Sequence, residues 1–258
     1  MKFNYELSSK IKEFINNSEL SEISIGCSNS QVFMIKKENN NYFLKIASKG
    51  LLTSEYNKLK WLENKLEVPK VVLYDVNEST EFLITEQVKG EMVCSNTYEK
   101  NPKLGLKVIA IALKKILEVD INDCPFDVSI DYKLNLVKRN VAEKLIDESQ
   151  LSEKTLNKFK NLNNILNYLN DNKFYDERCF SHGDTSLPNI FAINEKFSGF
   201  IDVGECGIAD KWFDLAICEK SIKRNFGEEY ISEFYKELNI VPDREKIDYY
   251  LLMMELYL

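Results

Sequence analysis

Phe180-Ser181-His182-Gly183-Asp184-Thr185-Ser186-Leu187-Pro188-Asn189-Ile190, followed by Asp202 in Gly199-Phe200-Ile201-Asp202-Val203-Gly204, is the stretch that decides how this chain is read. Moving a phosphoryl group from a nucleotide to a hydroxyl requires a carboxylate to orient and deprotonate the acceptor, and oxygen ligands to hold magnesium against the phosphates. Asp184, Asn189 and Asp202 are groups of that kind. Magnesium prefers hard oxygen donors and keeps several waters, so one amide oxygen and one carboxylate suffice from the protein. Ile190-Phe191-Ala192-Ile193, the turn-prone Asn194-Glu195-Lys196 and the segment Phe197 to Ile201 predict a β-hairpin, whose ends would bring Asn189 and Asp202 to one ion.

Asp and Asn beside Gly and Pro are also ordinary turn formers, and a His-Gly-Asp triplet alone fits a loop at least as well as a site. The wider pattern is more specific. Asp184 and Asn189 are separated by four intervening residues, and the hairpin leads to a second acid expected inside an apolar strand, where a carboxylate is costly unless paired or ligated.

Composition bounds the rest. A chain of 258 residues with 44% hydrophobic content is long enough for a substantial core and two lobes, and its net charge of −7 argues against a nucleic-acid partner. Six cysteines are scattered without a Cys-x-x-Cys pair, and the single histidine leaves no zinc set, so reduced, mostly buried thiols are expected. The N-terminus lacks an apolar signal region, and runs such as Val108 to Leu113 are far below membrane-spanning length. These features predict a cytoplasmic protein with no membrane partner, a monomer or weak dimer.

The segment from Phe180 to Asp214, with His-Gly-Asp-x4-Asn, Gly-Phe-Ile-Asp and Ala209-Asp210-Lys211-Trp212-Phe213-Asp214, resembles the aminoglycoside phosphotransferase family, particularly its 3′-phosphotransferase branch. Trp61-Leu62-Glu63, Val68-Pro69-Lys70-Val71, Asp120 to Pro125 and Tyr249-Tyr250-Leu251-Leu252 extend the similarity nearly end to end. The resemblance implies an α+β, bilobal protein-kinase-like fold. Residues 1–88 would form a nucleotide-binding lobe, an antiparallel sheet with one key helix, and residues 89–258 a larger, mainly helical catalytic and substrate-binding lobe. Asp184 would be the catalytic base, Asn189 and Asp202 the magnesium ligands, and His182 a structural support of the catalytic loop.

In the first lobe, Ile11, Phe14 and Ile15 give an opening helix its apolar face, and Ile23 to Ile35 reads as strand, turn, strand. Tyr42 to Ile46 is a further strand, and a helix from about Ser54 to Lys65 carries Tyr56, Leu59 and Leu62 on one side. Lys45 and Glu55 alone are ordinary surface charges. With the resemblance they fit the phosphate-binding lysine and its helical glutamate. Ser28 aligns with the serine that the family places over the nucleotide phosphates. Phe82 to Gly90 resembles the hinge between lobes, where backbone groups near Thr85 to Gln87 would bind the adenine edge, while Phe43 would either pack on the base or serve as a core aromatic.

Beyond Gly90, Leu106, Ile109, Leu113 and Ile116 recur at helical spacing, and residues from about Lys133 to Lys173 read as two amphipathic helices that break near Glu148 to Ser152. In the family this insert forms part of the substrate cleft. An aminoglycoside is a polycation, so its site must present carboxylates. In the branch the C-terminal helix ends with two adjacent acids, a leucine and a terminal aromatic. Here Glu255 matches one acid, Met254 stands at the other, and the chain runs one residue beyond the aromatic position to Leu258. Glu205 stands where the branch usually has arginine. Glu205, Glu255 and the carboxylate of Leu258 are the expected substrate residues, although Glu255 would equally suit a terminal helix that packs on the core and turns this acid to water.

The function expected is transfer of the γ-phosphoryl group of ATP or GTP, with Mg2+, to a hydroxyl of a small cationic antibiotic, an aminoglycoside, giving resistance. The alternatives are a same-fold kinase for another alcohol, such as a macrolide, a choline-like compound or a sugar, and a nucleotide-binding pseudokinase. The combination of Lys45, Glu55, Asp184, Asn189 and Asp202 argues against the last. His-Gly-Asp in place of His-Arg-Asp, with no Asp-Phe-Gly or Ala-Pro-Glu, argues against a protein kinase.

Overall fold

A computed structural model describes residues 3, 5–23 and 30–257. The backbone clusters into two units, Met1–Gly90 with Ser198–Gly204, and Glu91–Phe197 with Glu205–Leu258. The segment Ser198–Gly204, expected with residues 89–258, clusters with the first unit.

The first unit runs α1 (Ser9–Ile15), β1 (Glu19–Ile23), β2 (Gln31–Lys37), β3 (Asn40–Ser48), α2 (Thr53–Leu62), β4 (Val71–Val76) and β5 (Thr80–Glu86). The strands form an antiparallel sheet in the order β1-β2-β3-β5-β4. Alternation along the strands assigns the two faces. Phe33, Ile35, Leu44, Ile46, Phe82 and Ile84 are fully buried and form a core with Leu7 and Ile11. Their sequence neighbours take the other face, where Val32 pairs Lys45, Met34 pairs Phe43, Lys45 pairs Leu83 and Phe43 pairs Thr85.

Leu52 precedes the first residue of α2 and offers no capping side chain. Glu81, buried on β5, supplies the missing acceptor: its Oε2 takes the amides of Leu52 at 2.6 Å and Thr53 at 2.9 Å, and its Oε1 the Thr53 hydroxyl at 2.5 Å. Burial raises the Glu81 carboxyl, but these bonds and one from Tyr74 outweigh it and hold the group below its ordinary value. A carboxylate at a helix N-terminus is also favoured by the helix dipole. The sheet therefore fixes where α2 begins.

The second unit continues with β6 (Glu91–Met92), α3 (Asn96–Glu99), α4 (Pro102–Leu117), α5 (Ile130–Ala142), α6 (Glu153–Phe159), α7 (Leu162–Asp171), β7 (Arg178–Ser181), β8 (Ile190–Ile193) and β9 (Lys196–Phe200), whose last residues pass into the first unit. It closes with β10 (Gly207–Asp210), α8 (Lys211–Asn225), α9 (Ile231–Leu238) and α10 (Arg244–Met254). Leu106, Ile109, Leu113 and Ile116 of α4 are all buried, as their spacing requires. The insert is three helices where the sequence predicts two. The apolar face of α6 and α7 is broken at Lys160, which has φ +70, and Asn161 restarts the helix by accepting the Asn164 amide at 3.0 Å through its side chain. A capping bond of this kind competes with helix continuation and ends the run. Among the described residues no helix is long and apolar enough to cross a membrane.

Candidate active site

Strand β7 pairs antiparallel with β10, Ser181 opposite Gly207 and Arg178 opposite Asp210, and the chain leaves the ladder directly into His182. The loop from His182 to Asn189 is anchored on α8. Asp214 Oδ2 accepts the His182 amide at 2.7 Å and Oδ1 the Gly183 amide at 3.0 Å, while the Thr185 hydroxyl donates to the Asp214 carbonyl at 2.6 Å. Two turns further along the helix, Ser221 Oγ accepts the Leu187 amide at 2.9 Å. Residues seven apart lie on one helix face, so α8 acts as a template for the whole loop. Burial pushes the Asp214 carboxyl above its ordinary value, opposed by His182 and the two amide bonds.

Gly183 is required where it stands. Its φ is +85, and a Cβ there would lie 2.3 Å from the carbonyl oxygen of Glu205. His182 is fully buried, and its Nδ1 accepts the amide of Asp184 at 3.3 Å. Asp184 is half-buried; its Oδ1 accepts the Ser186 amide at 3.2 Å and its Oδ2 the Asn189 Nδ2 at 2.8 Å. Asn189 Nδ2 also donates to the Asp184 carbonyl at 3.0 Å. With the amide nitrogen committed to Asp184, Asn189 presents its Oδ1 as the atom for a ligand. A hard amide oxygen is a donor of the kind that magnesium takes, and so is the carboxylate of Asp202, which belongs to the first unit.

Asp202 differs from its expected setting. Strand β9 ends at Phe200, Asp202 is exposed rather than buried, and its backbone is left-handed at φ +60 ahead of a short 3-10 turn, Val203–Glu205. A non-glycine residue in this region carries strain, and such strain concentrates where a side chain is aimed for function.

In the first unit Lys45 Nζ lies 2.7 Å from Glu55 Oε1, with side chains 29% and 14% exposed, so the pair is held without being sealed from a ligand. Glu55 sits in the first turn of α2, and Phe43 and Thr85 share the sheet face of Lys45. The amide of Gln87 donates to the Asn41 carbonyl at 3.1 Å, and the Gln87 side chain accepts Asn41 Nδ2 at 2.7 Å. Of the backbone groups near Thr85 to Gln87, the Gln87 amide is therefore already engaged by Asn41.

The substrate residues fall less simply. Glu205 is exposed, and Tyr257 donates to its Oε2 at 3.3 Å. Glu255 is half-buried rather than turned to water alone. Its Oε2 accepts the Ser152 amide at 3.0 Å, and its Oε1 the hydroxyls of Ser152 at 3.0 Å and Thr155 at 2.8 Å, so it braces Ser152, the residue that caps α6. Ser28 and Leu258 lie outside the described residues.

Sequence reasoning missed Asp214, Ser221 and Glu81. For Asp214 a signal exists: Phe213, Leu215 and Ala216 surround it, and an acid in an apolar helical run must find donors. Ser221 and Glu81 carry no such local mark.

The sequence profile described as "Phosphotransferase enzyme family" matches residues 19–250. Aminoglycoside 3′-phosphotransferases from Enterococcus faecalis and Staphylococcus aureus are each 34% identical over 264 residues, covering 97% of this chain and 98% of theirs. The crystal structure of an aminoglycoside 3′-phosphotransferase of type VIII superposes with a TM-score of 0.83 at 26% identity, covering 96% of this chain and 97% of that one. The antiparallel sheet with its Lys45–Glu55 pair, the anchored Asp184 loop and these matches along nearly the whole length agree: the chain belongs to the phosphotransferase enzyme family, in its aminoglycoside 3′-phosphotransferase branch.

Proposed function

We propose that the protein transfers the γ-phosphoryl group of ATP or GTP, bound with magnesium, to a hydroxyl of an aminoglycoside, and that it does so in the cytoplasm. The observation that carries this reading is the bond from Asn189 Nδ2 to Asp184 Oδ2, which ties the acid that meets the acceptor to the amide that meets the metal. The acceptor hydroxyl attacks the γ-phosphorus, its proton passes to Asp184, and the bond to the bridging oxygen breaks to release the nucleoside diphosphate. Magnesium held by Asn189 and Asp202 would neutralise phosphate charge. Lys45, oriented by Glu55, binds the phosphates, and Phe43 and Thr85 share its side of the sheet. Loop geometry matters because the chemistry is mostly positioning and electrostatics.

A second reading has one specific support. Glu255, the acid that matches the branch at the C-terminus, is already satisfied by three donors on α6, which leaves fewer carboxylates for a polycation and favours another alcohol acceptor. Incubating the protein with magnesium, ATP or GTP and a panel of aminoglycosides, macrolides, choline and sugars tests both. A mass gain of about 80 Da, one phosphoryl group, on an aminoglycoside is expected. Gain only on another alcohol moves the substrate class, and no gain on any compound overturns the kinase reading.

A further inference from the structure

Helix α2 carries a second charged side chain, one turn on from Glu55. Lys58 is only 6% exposed, among the buried Leu59 and Leu62 of the same helix. Burying an ammonium is costly unless it is bonded, and a methionine of similar length would fill the space without desolvating a charge. Packing alone gives no reason for a lysine here.

The Lys58 ammonium donates to the carbonyl oxygen of Gly204, 146 residues away in sequence. Gly204 follows Asp202 by two residues, across the turn that the left-handed Asp202 backbone begins. The Asp202 carboxylate lies over this glycine: a Cβ built on Gly204 would stand 4.0 Å from Asp202 Oδ1. A strained backbone persists only where its surroundings hold it, and the Lys58 bond closes the turn from the α2 side.

We propose that Lys58 is a positioning residue that fixes the Asp202 turn through the Gly204 carbonyl. One helix then sets both the partner of Lys45 and the aim of the metal-binding carboxylate. A displacement of α2 moves Glu55 and Lys58 together, because they lie one turn apart on the same rod. The proposal rests on the reading of Asp202 as a magnesium ligand.

The test compares the full chain with Lys58→Met, Lys58→Gln and Asp202→Ala. Urea unfolding is measured without ligand, and thermal stabilisation by a non-hydrolysable ATP analogue is followed as magnesium is titrated. Lys58→Met is expected to unfold at or above the parent's urea midpoint, since no charge is buried, yet to need about ten-fold more magnesium for half of the stabilisation, the scale of losing a group that orients a metal ligand. Lys58→Gln is expected between the two, and Asp202→Ala to lose the magnesium dependence. If both Lys58 titrations overlay the parent while that of Asp202→Ala does not, Lys58 has no such role and the Asp202 reading stands. If Asp202→Ala overlays the parent, the reading fails and the proposal with it. Failure of both Lys58 variants to fold, or a magnesium shift that appears only with a lowered urea midpoint, marks Lys58 as structural and overturns the proposal.

Discussion

Asp214 holds His182 through its backbone, the carboxylate accepting the His182 amide at 2.7 Å inside a fully buried site. The same carboxylate takes the Gly183 amide, so the residues just before Asp184 are fixed by one acid on α8. Asp214→Asn keeps the shape but replaces one acceptor by a donor facing an N–H. A buried donor left without a partner costs about 1–3 kcal/mol, so urea unfolding is expected to show a loss of that size, with kcat reduced and nucleotide affinity kept. An unchanged urea midpoint would remove Asp214 as the anchor.

Gly183→Ala combines a left-handed backbone with a Cβ 2.3 Å from the Glu205 carbonyl. The Gly183 backbone cannot yield without moving Asp184, its neighbour in the chain. Turnover is expected to fall by about a hundred-fold, the scale of a misplacement near 1 Å, and steady-state kinetics on folded protein checks it.

Asp184→Ala is expected to abolish turnover and leave nucleotide binding nearly intact, because a base acts on the acceptor. Calorimetric titration with a nucleotide analogue, beside single-turnover phosphorylation, separates the two effects. Loss of nucleotide binding in step with turnover would place Asp184 in the nucleotide site instead.

Glu255→Ala removes the acceptor of the Ser152 amide and of the Ser152 and Thr155 hydroxyls. The expected result is destabilisation by about 1 kcal/mol, as for a lost helix cap, with the acceptor KM unchanged. A raised KM at unchanged stability would return Glu255 to the substrate.

Glu177 supplies a pH signature. Hydrogen bonds from Lys211 and Trp212, then Lys246, hold its carboxyl down at about 2, against an ordinary value of 4.5. A depressed folded value stabilises the protein above the unfolded value and loses that stabilisation as the pH falls through the folded one. The difference in stability between parent and Glu177→Gln is therefore expected to be full at neutral pH and to shrink from about pH 4.5 toward pH 2. Because the side chain is 49% exposed, solvent screens it and the difference is small. Urea midpoints measured across that range test it, and a difference that grows on acidification would contradict the sign.

The sequence by itself determined the alternation that builds the β2-β3-β5 core and the helical spacing of α4, and it offered the groups at 184, 189 and 202 as candidates for phosphoryl transfer. These are local signals, carried by a period of two or 3.6 residues or by a short motif. Tertiary structure alone decided what those groups lean on. Asp202 reads as a strand residue in an apolar run, but β9 ends two residues earlier and the acid is exposed in a left-handed turn. Glu255 reads as a terminal acid, but its partner Ser152 lies 103 residues away. Asp214 anchors residues 31 and 32 positions before it. Such bonds depend on which elements the fold brings side by side, and a buried donor seeks its acceptor through space with no record in the neighbouring residues.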